Sequence, residues 1–180
     1  MILITTSRRP SRGIRTLCRD LSHVLPLATR VNRGKMSLYE VAEKAAETGA
    51  EKVLMVDRLK GGFARIRFLK VHEGVTQVPP SIHLRGVRFR REFKARRKDS
   101  RVLFIECDSK RNLKTDRLIQ SLSDFLELPV IDAGKAVYKR GTVMRVSEDP
   151  LKRLQISFYF MPKNIEVGPR ILVSRVVWEI

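Results

Sequence analysis

The sequence predicts an α/β fold, layered in the α+β manner and built as two similar halves. Three observations carry that reading. Apolar runs of strand character alternate with amphipathic helical stretches along the 180 residues. A shift of 101 positions lays Ile2-Leu3-Ile4 on Leu103-Phe104-Ile105 without a gap. The same shift lays Leu17 on Leu118, Leu21 on Leu122, Ser22 on Ser123 and Leu25 on Leu126, which points to an internal duplication. Each half is then a small sheet packed by helices.

Met1–Thr6 is a short strand, and Ser7-Arg8-Arg9-Pro10-Ser11-Arg12-Gly13 is a basic loop. Ser11 caps the helix that follows, where Ile14, Leu17, Cys18, Leu21, Val24 and Leu25 make one apolar stripe that Pro26 ends. A second basic loop, from Arg30 to Lys35, leads to a second helix. Ser37 and Glu40 open it as a capping box, Leu38, Val41, Ala42 and Ala45 form its buried stripe, and Gly49 stops it. Lys52–Asp57 is a fully buried strand. Lys60-Gly61-Gly62 turns the chain into Ala64–Val71, with Ile66 and Phe68 on one face and Arg65 and Arg67 on the other. Pro79-Pro80 breaks the chain before a strand over Ser81–Phe93, bulged at Gly86.

Residues 94–101 are a charge run without apolar pattern and read as a linker or exposed loop. Beyond the repeated strand and helix, the second half has loop signals at Asp132-Ala133-Gly134 and a strand candidate over Ala136–Val146. Leu154–Phe160, with its alternating Leu154, Ile156, Phe158 and Phe160, and Ile171–Trp178 are stronger strand candidates.

Composition narrows the function. With 43% hydrophobic and 31% charged residues the chain is globular, and no stretch approaches the roughly 18 apolar residues of a membrane span. Met1-Ile2-Leu3-Ile4 lacks the basic lead and long apolar stretch of a secretory signal, so a cytoplasmic location is expected. Cys18 and Cys107 sit in apolar patterns and read as buried, reduced side chains.

The net charge of +18 is uneven. Residues 1–98 hold 23 basic and 8 acidic side chains; residues 99–180 hold 14 and 11, making a basic first half and a nearly neutral second. Arginine outnumbers lysine 24 to 13, a preference that suits bidentate phosphate contacts. A polyanion is the expected partner, and nucleic acid above others.

No catalytic constellation stands out, and an enzyme is not expected. His23, His72 and His83 lack metal-ligand spacing and read as surface residues. Arg33-Gly34-Lys35-Met36-Ser37 lacks the earlier glycine of a phosphate loop, because residue 29 is Thr. Asp108, Asp116, Asp124 and Asp132 are too spread to fix an acidic pair. No cofactor, metal or small-molecule substrate is implied.

Three basic clusters remain. Arg8 and Arg9 continue into Arg12, Arg15 and Arg19, which share a helix face opposite the apolar stripe. Cations at a helix N-terminus oppose its dipole, and phosphates would relieve that repulsion; a solvated face is the alternative. Arg30, Arg33 and Lys35 form the second cluster. Arg85, Arg88, Arg90, Arg91, Lys94, Arg96, Arg97 and Lys98 form the third, interleaved with Phe89 and Phe93. Both rings read as core residues first and base-stacking ones second. With few other free aromatics, recognition through phosphates and shape is expected rather than dense base readout.

Ile4-Thr5-Thr6-Ser7-Arg8-Arg9-Pro10-Ser11 with the later Arg33-Gly34-Lys35-Met36-Ser37-Leu38 resembles the opening of Brix-domain proteins. Leu154–Phe160 followed by Glu166-Val167-Gly168-Pro169-Arg170 resembles that family's closing motif. The likeness covers nearly the whole chain and is greatest to the short archaeal members. Glu73-Gly74-Val75-Thr76 departs from the Gly-Pro-Thr motif usual in eukaryotic members. The resemblance implies a single Brix domain over 1–180, whose halves are each like the anticodon-binding domain of class II aminoacyl-tRNA synthetases. It also implies ribosome biogenesis through binding of precursor ribosomal RNA, with other assembly proteins as further partners. By position it marks Arg8, Arg9, Arg12, Arg33, Lys35 and Arg170, the last as an RNA contact or a tie between the halves. A tRNA-binding accessory module and an RNA-processing enzyme are the alternatives.

Overall fold

The computed structural model describes residues 1–94, 101–138 and 140–179. In order the elements are β1 (Ile2–Thr6), α1 (Arg12–Val24), β2 (Ala28–Arg30), α2 (Leu38–Glu47), β3 (Lys52–Arg58), β4 (Ala64–His72) and β5 (Gly74–Arg88). The second half follows with β6 (Val102–Cys107), α3 (Leu113–Leu126), β7 (Val130–Asp132), β8 (Gly141–Glu148), β9 (Leu154–Met161), β10 (Ile165–Glu166) and β11 (Arg170–Val177). Short 3-10 turns occupy Arg90–Glu92 and Ala133–Lys135.

All these strands join one sheet in the order β2-β1-β3-β4-β5-β11-β9-β8-β6-β7, with β10 added beside β9. β1 runs parallel to β2 and β3, and β3, β4 and β5 are antiparallel in turn. β6, β7, β8, β9 and β11 repeat that pattern. The halves meet where β5 and β11 pair antiparallel, Ile82 opposite Val176 and Val87 opposite Ile171.

Alternation along the strands builds a core on both faces. Ile2 and Ile4 of β1 pack with Ile14, Leu17 and Leu21 of α1, in one apolar cluster that also holds Leu118 and Leu122 of α3. Leu3 points the other way, to Val41 and Ala45 of α2. Phe104, Val143 and Met161 are covered on that second face by Ala136 and Tyr138. A strand buried on both faces reads as a continuous apolar run, as β1 and β3 do.

Both helix starts are capped as expected. Ser11 accepts the Ile14 N–H at 3.3 Å, and Ser37 with Glu40 closes a capping box at 3.2 and 2.6 Å. Both cysteines are reduced and buried, and burial pushes the Cys18 thiol up to about 12.

Five local expectations are corrected. The Pro79-Pro80 pair does not break the chain: β5 runs from Gly74 through it. Pairing with β4 skips from Arg67–Ser81 to Phe68–Val78, so the prolines, which have no N–H to donate, stand in the irregularity between. That strand then ends at Arg88, not Phe93. The Ala136–Val146 candidate begins only at Gly141, because Ala136 and Tyr138 are used to cover the sheet. His83 is buried rather than superficial, its Nδ1 accepting the Arg175 Nε–H at 3.1 Å. Finally, Leu38 is 43% exposed and leaves the α2 stripe to Val41, Ala42 and Ala45. The bulge expected at Gly86 is present, where pairing with β11 skips Arg85.

Candidate nucleic-acid interface

The chain leaves β1 for β2 on one side and returns to β3 on the other, with α1 and α2 on opposite faces. Such a reversal opens a crevice at the carboxyl ends of the strands. Three loops meet there. The Ser7 N–H donates to the Val56 carbonyl at 3.1 Å, and the Arg58 N–H donates to Ser7 Oγ at 3.4 Å. Arg8 reaches across to the second loop, its Nε donating to the Met36 carbonyl at 3.4 Å.

This places Arg8, Arg9, Arg12 and Lys35 on exposed surface around the start of α1. The helix has no acidic residue in its first turn, so its positive end and its arginines add rather than cancel. Arg15 and Arg19 continue the exposed face along α1, and Arg30 is exposed at the end of β2. Among the described residues none of these seven forms an ion pair with a carboxylate.

Sequence reasoning missed Arg58 and Lys60, exposed in the β3–β4 hairpin against the same loop. The signal was there: two cations leading into a turn. Only the turn was read from it.

The second cluster is divided. Arg33 is only 6% exposed; its Nε donates to the Met36 carbonyl at 2.6 Å and its Nη1 to the Thr6 carbonyl at 3.4 Å. Burial and the neighbouring Arg8 charge lower its pKa. Arg33 therefore braces the loop that displays Arg8 and Lys35, rather than joining their exposed surface.

The third cluster also divides. Asp20 of α1 accepts the Arg90 backbone N–H, and Phe89 packs on Phe63 with ring centroids 6.4 Å apart, so the 89–94 segment lies along α1. Arg88 and Arg91 are exposed beside it, over Phe93 at 4.5 Å and Phe89 at 5.3 Å. Phe93 is buried and Phe89 half-buried, as core residues. Lys94 is exposed; Arg96, Arg97 and Lys98 lie outside the described residues. Arg85 turns away, its guanidinium 3.4 Å from Asp149 in the second half. Arg170 pairs with Glu166, with Nε to Oε1 at 2.7 Å, and lies opposite Arg88 in the β5–β11 ladder, near Phe93.

Several cations of the second half are paired, as Arg65 and Arg67 are with Asp57 in the first. Arg111 binds Asp116 at 2.7 Å and Asp132 at 3.0 Å, bringing together two carboxylates that the sequence seemed to scatter while neutralising both. Arg145 pairs with the buried Glu106, and Arg153 with Asp149 at 2.8 Å. Among the described residues no group of three His, Cys, Asp or Glu side chains is placed to hold a metal, and no helix is long and apolar enough to cross a membrane.

No family model matches the sequence. It is 38% identical over 163 residues to a probable Brix domain-containing ribosomal biogenesis protein of Methanopyrus kandleri, covering 90% of this chain and 82% of that one. A protein of the same description from Pyrococcus horikoshii is 36% identical over 92 residues, 51% of this chain and 41% of the other. Among solved structures, the fold is similar to a probable ribosomal biogenesis protein from Aeropyrum pernix, with a TM-score of 0.76 at 23% identity over 98% of both chains. It is also similar to Mil, an archaeal Imp4-like protein, with a TM-score of 0.67 at 22% identity over 98% of this chain and 99% of that one. The sequence match across most of both chains, on a shared fold, makes this chain a member of the Brix domain-containing ribosomal biogenesis proteins.

Proposed function

We propose that the protein is a non-enzymatic RNA-binding factor that grips structured precursor ribosomal RNA, mainly by its phosphates, during ribosome assembly. One observation carries the reading: Arg8, Arg9 and Arg12 surround the N-terminus of α1 and Arg15 and Arg19 continue along its outer face, all exposed and unpaired with carboxylates among the described residues. Exposed cations held against a helix dipole are a cost to the isolated fold, and a phosphate backbone reverses its sign. Among the described arginines of the second half, Arg111, Arg145, Arg153 and Arg170 pair with carboxylates, and the cations left unpaired there are more scattered than those around α1, which favours structure and protein partners for that half. The names of its relatives support a place in ribosome biogenesis, and a cytoplasmic location is part of the same proposal.

The repeated strand pairing supports a further part of the reading, that the two halves arose by duplication of a unit like a synthetase anticodon-binding domain. That likeness keeps a tRNA-binding role as the rival. Crosslinking the protein to RNA in cells and sequencing the bound fragments separates the two. Reads concentrated in precursor ribosomal RNA are expected; mostly tRNA reads would overturn the proposal, as would metal-dependent RNA cleavage by the pure protein.

A further inference from the structure

The matching halves differ at the concavity beside the first helix of each. In the first half, the concavity between the start of α1, the β3–β4 hairpin and the end of β5 is filled from within the chain. Phe63 and Phe89 close it, with Phe63 so near that a Cβ on Gly13 would lie 3.1 Å from its ring. Strand register identifies the counterparts. The pairs Arg58–Ala64 and Glu148–Leu154 close equivalent hairpins, so Arg153 stands where Phe63 does. Ile66 faces Ile82 as Ile156 faces Ile171, so Trp178 stands where Phe89 does. Lys114 replaces Gly13 under the 101-residue shift.

In the second half the concavity is therefore open, a groove of about 930 Å³. Its apolar wall is Leu154, Val173 and Val176, with Leu113 at its side 89% exposed. Lys114, Arg117 and Lys152 line it without a carboxylate partner among the described residues. Of the acids beside it, Asp149 is held by Arg85 and Arg153, and Glu148 accepts from Asn112 and Thr115 at the start of α3.

We infer that this groove docks an acidic peptide segment of a partner protein, anchored by one bulky apolar side chain where Phe63 sits in the first half. The aliphatic wall decides against single-stranded RNA, which needs ring faces for its bases. The one ring here, Trp178, already carries the Arg117 guanidinium 3.9 Å from its centroid. The unpaired cations complement carboxylates, and the wall complements the anchor. This site is separate from the RNA surface on α1.

Trp178 is the only tryptophan in the chain, so its emission reports on the groove directly. The test titrates the full chain with labelled acidic peptides of about ten residues carrying one central Phe or Leu, beside a Ser-centred control of equal charge. Saturable binding of an anchored peptide with a change in Trp178 emission is expected. Arg117→Glu with Lys152→Glu, two surface changes, weakens it about tenfold by anisotropy of the label, while Arg8→Ala with Arg12→Ala leaves it unchanged. Equal binding of the Ser control, no response to either anchored peptide, or an emission change produced by oligouridine and not by peptide would each overturn the inference.

Discussion

The side-chain carboxylate of Asp20, on α1, accepts the backbone N–H of Arg90 at 2.9 Å, across 70 residues of sequence. That bond moors the segment after β5 against the arginine-bearing helix and so joins two basic clusters. Asp20→Ala leaves the N–H without its acceptor and is expected to cost about 1–3 kcal/mol. Asp20→Asn keeps an oxygen acceptor and costs less. Burial raises the Asp20 carboxyl above its ordinary range, although the Arg90 N–H and the charges of Arg90 and Arg19 pull it down. The folded chain therefore keeps this proton to higher pH than the unfolded one, and the contribution to stability falls as pH rises through that interval. Denaturant midpoints measured across that interval should show a pH slope that flattens in Asp20→Asn.

Arg8 and Arg33 share the Met36 carbonyl as acceptor, yet one is exposed and the other buried. Their substitutions should separate cleanly. Arg8→Ala with Arg12→Ala is expected to weaken RNA binding and to reduce the log-log salt slope by about one to two, with little change in melting temperature. Arg33→Ala removes the donor to Thr6 and Met36 from inside the loop, costing about 1–3 kcal/mol. RNA titrations at several salt concentrations and thermal melts of both variants check the contrast. An Arg33→Ala protein of full stability with a reduced salt slope would show that Arg33 contacts RNA.

These two arginines also show how far the sequence could be read. The order of the longer strands and helices, the two helix caps, the Gly86 bulge and the face-splitting of Ile66 from Arg65 follow from local periodicity, and the structure keeps them, whereas the two- and three-residue strands β2, β7 and β10 are too short to show a period. Charge clusters were legible only as composition, because a guanidinium reads alike whether it faces water or a carbonyl. Arg33 and Arg85 were turned inward by contacts 27 and 64 residues away, which no window of sequence contains. Pro79-Pro80 is the converse case: a strong local breaker accommodated because long strands on both sides held the ladder.

Glu106, 1% exposed, is shared by the Arg145 guanidinium and the Tyr138 hydroxyl, which donates to it. That hydrogen bond, with burial, raises the Tyr138 phenol above its ordinary value. The folded state thus favours the protonated phenol, and stability is lost as pH climbs from the ordinary tyrosine range into the raised one. Ultraviolet titration should find one of the three tyrosines ionising late, and Glu106→Gln should bring it back toward the others.

Phe68 of β4 meets Phe125 of α3 edge to face, with ring centroids 4.8 Å apart. The contact joins the halves on the α1 and α3 side of the sheet, beneath the β5–β11 pairing. Lys52 of β3 adds an ion pair to Glu127 at 2.5 Å just beyond α3, and Arg101 donates to the Leu25 carbonyl at 2.8 Å after α1. With one sheet and one apolar cluster spanning both halves, loosening the seam should loosen everything. Phe125→Ala is expected to cost about 3–5 kcal/mol, the range for removing a buried ring. Unfolding should stay a single transition, with Trp178 fluorescence and far-ultraviolet circular dichroism tracing the same curve. A variant in which the two probes part, one half melting before the other, would mean that each half folds by itself and that the shared cluster is a docking surface between two domains.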